Sequence, residues 1–138
     1  MQARSDDIAM IKSLYLTGAT HDGLASHYVE RTISTDLKDL SNYPTFLVLR
    51  DKNVIFGMVG VTKEGEICRL MVHPEYRGKG HGHTLLSKAI ANGGTHLETL
   101  GSNGVAIHLY EKYFNRTSEK HLVSRTTGAP YTLITFSI

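Results

Sequence analysis

The stretch Val72 to Leu86, VHPEYRGKGHGHTLL, sets three glycines, Gly78, Gly80 and Gly82, within five residues, between an apolar run and a segment with helical apolar spacing. A strand that passes through a glycine turn into a helix constrains the fold more than any other part of the chain. Glycine reaches positive φ without steric cost and lets the backbone approach a ligand closely. The first amides of a helix lack partners and, with the helix dipole, favour an anion. Arg77 and Lys79 can add charge-assisted bonds worth about 1.5–3 kcal/mol each. The junction therefore reads as a phosphate-binding turn. A nucleotide P-loop needs Ser or Thr after Gly-Lys, whereas Lys79 is followed by Gly80. A dinucleotide fingerprint needs an initial βαβ unit and a later ribose-binding acid, and here three strand-like runs come first.

Those runs are TFLVLR, VIFGMVGV and EICRLMV, separated by DKN and TKEGE, which predicts an antiparallel meander. After the glycines a helix is predicted from about His83 to Ala91, with Leu85, Leu86, Ala89 and Ile90 inward and NGG as its stop. THLETL reads as a strand, VAIHLYEKYF as a helix, and HLVSRTT and YTLITFSI as two closing strands. Upstream, Ser5 can cap a helix that turns Ile8, Ile11, Leu14 and Tyr15 to one side, with Asp6 and Asp7 in its first turn. A less regular helical region follows from Leu24 to Leu40, with Leu24, Tyr28, Leu37 and Leu40 as buried positions and Ser34 as an internal restart. This order predicts an α/β chain in which helices pack on a mixed sheet.

The 138 residues, 41% of them hydrophobic, suit one domain. Fifteen Lys and Arg against thirteen Asp and Glu leave +2, too mild a balance to indicate a nucleic-acid partner. Cys68 is the single cysteine, so no internal disulfide can form. The N-terminus lacks a continuous apolar signal core, and no run approaches the ~18 apolar residues of a membrane span. A soluble cytoplasmic protein without a membrane partner is expected.

ICRLMVHPEYRGKGHGHTLL resembles the acyl-CoA-binding motif of the GNAT superfamily of N-acyltransferases. There a strand ends near Val-x-Pro and runs through Arg/Gln-x-x-Gly-x-Gly/Ala into a helix, matched by Val72, Pro74, Arg77, Gly80 and Gly82. NGVAIHLYEK resembles the second family motif through Asn103, Ala106, Leu109, Tyr110 and Lys112. The resemblance covers residues 65–114 and implies a central, mostly antiparallel sheet of about six to seven strands flanked by about four helices. It departs where the family follows the tyrosine helix with Gly-Phe, since YEKYFNR has no glycine, and where the opening strand is abbreviated.

The resemblance implies acetyl-CoA as co-substrate, its pyrophosphate on the amides of Arg77, Gly78, Lys79, Gly80, His81 and Gly82. Its pantetheine arm would pair with Leu70, Met71 and Val72, and the Leu70 amide would face the thioester oxygen. Asn103 would contact that arm, cap its helix, or do both. Tyr110 matches the residue that returns a proton to the CoA thiolate. Some members place a general-base glutamate where Glu66 stands, six residues before Val72, an even offset that keeps both on one face of a regular strand. The acceptor would carry a primary amine. Protein lysine or N-terminus, polyamine, aminoglycoside and aminoacyl-tRNA all stay open, as does a homodimer through the closing strands. The competing reading is a CoA-binding interaction module with little or no catalysis. His73, His81 and His83 can be drawn as a three-nitrogen metal site, but glycine-borne ligands are poorly preorganised, and no metal is expected.

Overall fold

A computed structural model describes residues 2–125 and 127–138. The chain divides into two compact units, Met1–Gly94 and Thr95–Ile138.

In the first unit a 3-10 turn, Ser5–Asp7, leads into α1 (Ile8–His21), followed by α2 (Ser26–Arg31), which widens into π geometry over Thr32–Asp36. The strands β1 (Thr45–Asp51), β2 (Val54–Val61) and β3 (Ile67–Val72) form the expected antiparallel meander in that order. A 3-10 turn, Pro74–Tyr76, then precedes α3 (His81–Ala91), which starts two residues earlier than its apolar spacing suggested. The opening strand is reduced to one antiparallel bridge between Gln2 and Leu47.

Helical periodicity sets Ile11, Leu14, Tyr15 and Ala19 of α1 against Phe46, Val48 and Met58 of the sheet, with Val29, Leu37 and Tyr43 closing the cluster. Gly18 lies on the same helix face, and a Cβ there would stand 2.2 Å from Met71 Sδ, so the missing side chain lets α1 lie close on β3. The other face of the sheet takes α3, whose Leu85, Leu86 and Ala89 are fully buried while Ile90 is half-buried. Leu85 packs over Gly57, the neighbour of Met58, as the alternation of a strand requires.

Three N-terminal expectations change. Asp7 rather than Ser5 stands at the N-cap position of α1, and it is 3% exposed, accepts the Arg4 N–H at 2.9 Å, and receives both arms of Arg50 at 2.7 and 3.1 Å. Tyr28 is 37% exposed, because the inward positions of α2 and its π turn fall to Val29 and Thr32. Ser34 does not restart a helix; its hydroxyl and that of Thr35 donate to the Arg31 carbonyl at 3.3 and 2.6 Å within the widened turn.

The second unit comprises β4 (His96–Leu100), α4 (Gly104–Tyr110), β5 (Asn115–Val123) and β6 (Pro130–Ser137), with sheet order β4-β6-β5, so the last strand is central. Leu97, Tyr110, Phe114, Ile134 and Phe136 are its buried residues. Without a glycine, α4 still ends cleanly: the amides of Tyr113 and Phe114 both donate to the Tyr110 carbonyl, at 3.0 and 2.9 Å, and the chain enters β5 at once. β5 begins at Asn115 rather than near His121, and all nine residues are exposed. As an edge strand it needs no apolar alternation, so the polar stretch NRTSEK gave no strand signal. Thr126, at the start of the TTGAP loop, lies outside the described residues.

The α/β expectation holds, with six strands, four α-helices and antiparallel pairing throughout among the described residues. No helix among them is long and apolar enough to cross a membrane.

The Asp7–Arg50 fork generates a pH-dependent stability. The side-chain bond from Arg50, then the Arg4 amide, hold the Asp7 carboxyl down at about 2 against an ordinary 3.8. A depressed folded pKa stabilises above the unfolded value, and that contribution, roughly 2 kcal/mol at 1.36 kcal/mol per unit, is lost as pH falls from about 4 through 2. Urea denaturation across this range should show the loss. Asp7→Asn should remove that share of it and cost about 3 kcal/mol at pH 7, because Arg50 loses its charged partner.

Candidate functional site

β3 hands over to the glycine loop through a tightly bonded corner. The His73 amide donates to the Phe56 carbonyl at 2.7 Å, and His73 Nδ1 accepts the Glu75 N–H at 3.1 Å, capping the turn that Pro74 begins. Gly78 and Gly80 follow with φ of 81° and 82°. A Cβ at either would meet nothing within 4 Å, so the left-handed backbone rather than crowding calls for glycine there. Gly82 is different: it lies in the first turn of α3 with ordinary helical φ. The first bond of α3 runs from the Thr84 amide to the Gly80 carbonyl at 3.1 Å, which leaves the His81 and Gly82 amides without intrahelical acceptors. They stand at the positive end of an 11-residue helix.

An aromatic stack holds this loop in place, and a β-bulge makes the stack. Along β1, Leu49 and Arg50 are consecutive, but their partners on β2 are Gly57 and Ile55, so Phe56 is an extra residue. Its ring stacks on Tyr76 at 4.4 Å between centroids and meets His81 edge-on at 4.8 Å. Arg77 makes a second tether: Nε donates to the Val72 carbonyl at 2.8 Å, and Nη1 and Nη2 donate to Asp22 at 2.6 and 3.1 Å. The Arg77 guanidinium, expected as a contact for an anion, is thus committed to the end of α1. Lys79 is exposed on the loop.

A second bulge reshapes the neighbouring strand. Met58 and Gly60 of β2 pair with Met71 and Cys68 of β3, so two steps on one strand match three on the other. Arg69, with φ of 56°, lies within the extra step, and neither it nor Leu70 has a paired residue on β2. The bulge overturns one argument for Glu66. An even offset no longer keeps Glu66 and Val72 on one face; Glu66 shares the face of Cys68 and Met71, both packed towards the α1 cluster. The backbone of Glu66 is pinned by Thr62, whose Oγ1 accepts its amide at 3.0 Å and whose amide donates to its carbonyl at 2.9 Å. Burial pushes the Cys68 thiol up to about 12, with the Glu66 carboxylate adding to the rise, so the thiol stays protonated and unreactive.

In the second unit Asn103 caps α4, its Oδ1 accepting the Ala106 N–H at 3.3 Å. Tyr110, the last residue of that helix, is 9% exposed and packs edge-on to Phe136 at 5.9 Å. Burial raises its hydroxyl to about 12. A cavity of about 480 Å³ in this unit, with Ile107, Ile134, Arg116 and Glu119 in its lining, includes none of the expected reacting residues. Among the described residues no group of three His, Cys, Asp or Glu is placed to hold a metal ion.

The family model described as Acetyltransferase (GNAT) domain matches residues 42–113. The chain belongs to the GNAT acetyltransferase family. The match runs from β1 through α4, and so takes in both bulges, the glycine loop, Asn103 and Tyr110, while α1, α2, β5 and β6 lie outside it. The apo form of YjaB from Escherichia coli is 20% identical with a TM-score of 0.75, over 99% of this chain and 93% of that one. The ribosomal-protein-S18-alanine N-acetyltransferase from Escherichia coli is 20% identical, TM-score 0.72, over 100% and 92%. YncA from Salmonella typhimurium, solved with its cofactor acetyl-CoA, is 21% identical, TM-score 0.70, over 100% and 91%. At these identities the likeness is one of fold. No curated protein sequence matches the chain.

The Phe56 stack can be tested apart from any ligand. Phe56→Leu keeps an apolar side chain but gives up two aromatic contacts worth about 0.5–1.5 kcal/mol each. Amide hydrogen exchange should rise several-fold at residues 76–82 and little in α1.

Proposed function

We propose that this GNAT chain, with residues 1–138 acting as one domain, transfers the acetyl group of acetyl-CoA to a primary amine. The observation that carries the reading is the left-handed turn at Gly78 and Gly80 opening into α3 with the His81 and Gly82 amides unpaired in the helix. It fits a pyrophosphate: the approach to both glycines is open, and donors and helix dipole point the same way. Arg77, Gly78, Lys79, Gly80, His81 and Gly82 would supply this seat through their amides, with Lys79 adding charge from its side chain. Leu70, Met71 and Val72 would take the pantetheine arm as an added strand. β3 is an outer strand of its three-stranded sheet, so it has an edge to offer. Asn103 is a further contact for the arm.

When bound, acetyl-CoA supplies the activated acyl group, and the chain must supply an uncharged amine and a donor for the developing negative charge. An ordinary lysine is uncharged in roughly one molecule in 10³ at neutral pH. Glu66 is the proposed base, on the face of β3 that carries the α1 and α2 elements. The amine nitrogen bonds to the thioester carbon, its proton leaves to the base, the carbon–sulfur bond breaks, and the thiolate departs. The Leu70 amide is the proposed donor to the carbonyl oxygen, worth about 2.7–4 kcal/mol by analogy with other such donors. Tyr110 is the proposed group at the departing sulfur. Held at about 12, it is neutral at every working pH. Full transfer to a thiolate of pKa near 8.5 would run uphill by roughly 3.5 pKa units, so Tyr110 serves better as a hydrogen-bond donor. Relatives of this fold include an enzyme named for a ribosomal-protein alanine, which keeps a protein N-terminus among the candidate acceptors.

A thiol-release assay with acetyl-CoA and a panel of amines, beside calorimetric CoA titration, tests the proposal. Tyr110→Phe should lower kcat about 10–100-fold with little change in CoA affinity. Equal loss of both would reduce Tyr110 to a packing residue. Gly80→Asp should abolish CoA binding while the protein stays folded. Normal binding by that variant would overturn the loop assignment, and tight CoA binding with no turnover on any amine would favour a CoA-binding module.

A further inference from the structure

Arg69 combines two unfavourable features in one residue. Its φ of 56° puts a side-chain-bearing residue in the left-handed region inside a strand, at a cost of about 1–2 kcal/mol. Lys52, the other non-glycine at positive φ among the described residues, sits in the β1–β2 turn, where such a conformation is common. The Nε of Arg69 is also buried without a hydrogen-bond partner, a further cost of about 1–3 kcal/mol. The rest of the guanidinium is held by two partners. Nη2 pairs with Asp36 at the end of the π turn, Nη1 lies 3.5 Å from the Tyr28 hydroxyl of α2, and the Tyr43 hydroxyl is close by.

A residue placed for stability alone would carry neither cost. We propose that Arg69 is a positioning residue. Its fork onto Asp36 and Tyr28 holds the β3 bulge in its left-handed form and so aims the next amide, that of Leu70, at the thioester oxygen. The proposal rests on the reading of Leu70 as the donor to that oxygen. Strain concentrated in a bulge beside a reacting group is a common way to re-aim backbone, and a misplacement of about 1 Å there costs roughly 10²-fold in rate. The same fork ties the strand to α2 and its π turn, on the face that carries Glu66.

The experiment uses the full chain with Arg69→Ala, Arg69→Gly and Asp36→Asn, read by nitrogen-15 NMR of the Leu70 amide, melting temperature, and kcat against KM for acetyl-CoA. In the wild type, acetyl-CoA should shift the Leu70 amide more than CoA does. In Arg69→Ala and Arg69→Gly that difference should vanish and Leu70 amide exchange in the free protein should rise. Their kcat should fall about 10–100-fold with KM within about three-fold. Arg69→Gly matters because glycine takes the left-handed backbone freely, so it removes the fork without adding strain. Asp36→Asn should fall between wild type and Arg69→Ala. If both Arg69 variants only melt lower while kcat and the Leu70 response stay intact, Arg69 is structural and the proposal is wrong. If wild-type Leu70 does not distinguish acetyl-CoA from CoA, the donor assignment fails and takes the proposal with it. CoA binding abolished by Gly80→Asp would meanwhile uphold the glycine-loop seat independently.

Discussion

A regular strand sends alternate side chains to opposite faces, and a sheet with helices on both faces has no freedom to rotate one residue without rotating all that follow. β2 and β3 escape this constraint with one extra residue each, at Phe56 and at Arg69–Leu70. In β2 the extra residue sends a ring to Tyr76 and His81, where it holds the glycine loop, while Ile55 and Met58 stay in the core. In β3 it leaves two backbone positions unpaired while Cys68 and Met71 both remain packed towards α1. The candidate chemistry sits on the irregular positions, and the regular ones around them form the core.

Three aspartates bind the N-terminal third of the chain to that sheet. Asp7 meets Arg50 on β1, Asp22 at the end of α1 meets Arg77 on the glycine loop, and Asp36 after α2 meets Arg69 in the β3 bulge. The Asp7 and Asp22 pairs are arginine forks on a carboxylate, the geometry in which such pairs are strongest, while Asp36 takes a single bond from Nη2 of Arg69. Only Asp7 is deeply buried, so the other two act more through direction than through stability. They fix where α1 and α2 end relative to the strand and loop proposed to hold acetyl-CoA.

The glycine loop was legible because its requirement is local. Two left-handed residues before a helix need glycine wherever they occur, and Gly78 and Gly80 have that conformation. The buried faces of α1 and α3 were legible for a similar reason, since Ile11, Leu14, Leu85 and Leu86 repeat at the helical period. The face of Glu66 was not. Nothing local in ICRLMV marks Arg69 as the residue at which alternation breaks, because the bulge depends on carboxylate and hydroxyl partners far off in the chain. Tyr28 is exposed rather than core because Val29 and Thr32 take the inward positions, and its hydroxyl lies 3.5 Å from Arg69, 41 positions away. β5 was hidden because an edge strand fully open to water shows no apolar alternation.

By itself, then, the sequence determined the order of elements, the meander, the glycine turn and the family to which its motifs belong. Each of these depends on neighbours within a few residues, through backbone conformation and periodicity. Only the tertiary structure decided which face Glu66 takes, what engages Arg77, how deeply Asp7 and Tyr110 are buried, and where the strands bulge. Those outcomes depend on pairs such as Asp7 and Arg50 or Asp22 and Arg77, 43 and 55 residues apart. Such partners are brought together by the tertiary fold, and no local pattern encodes which arginine each aspartate will find.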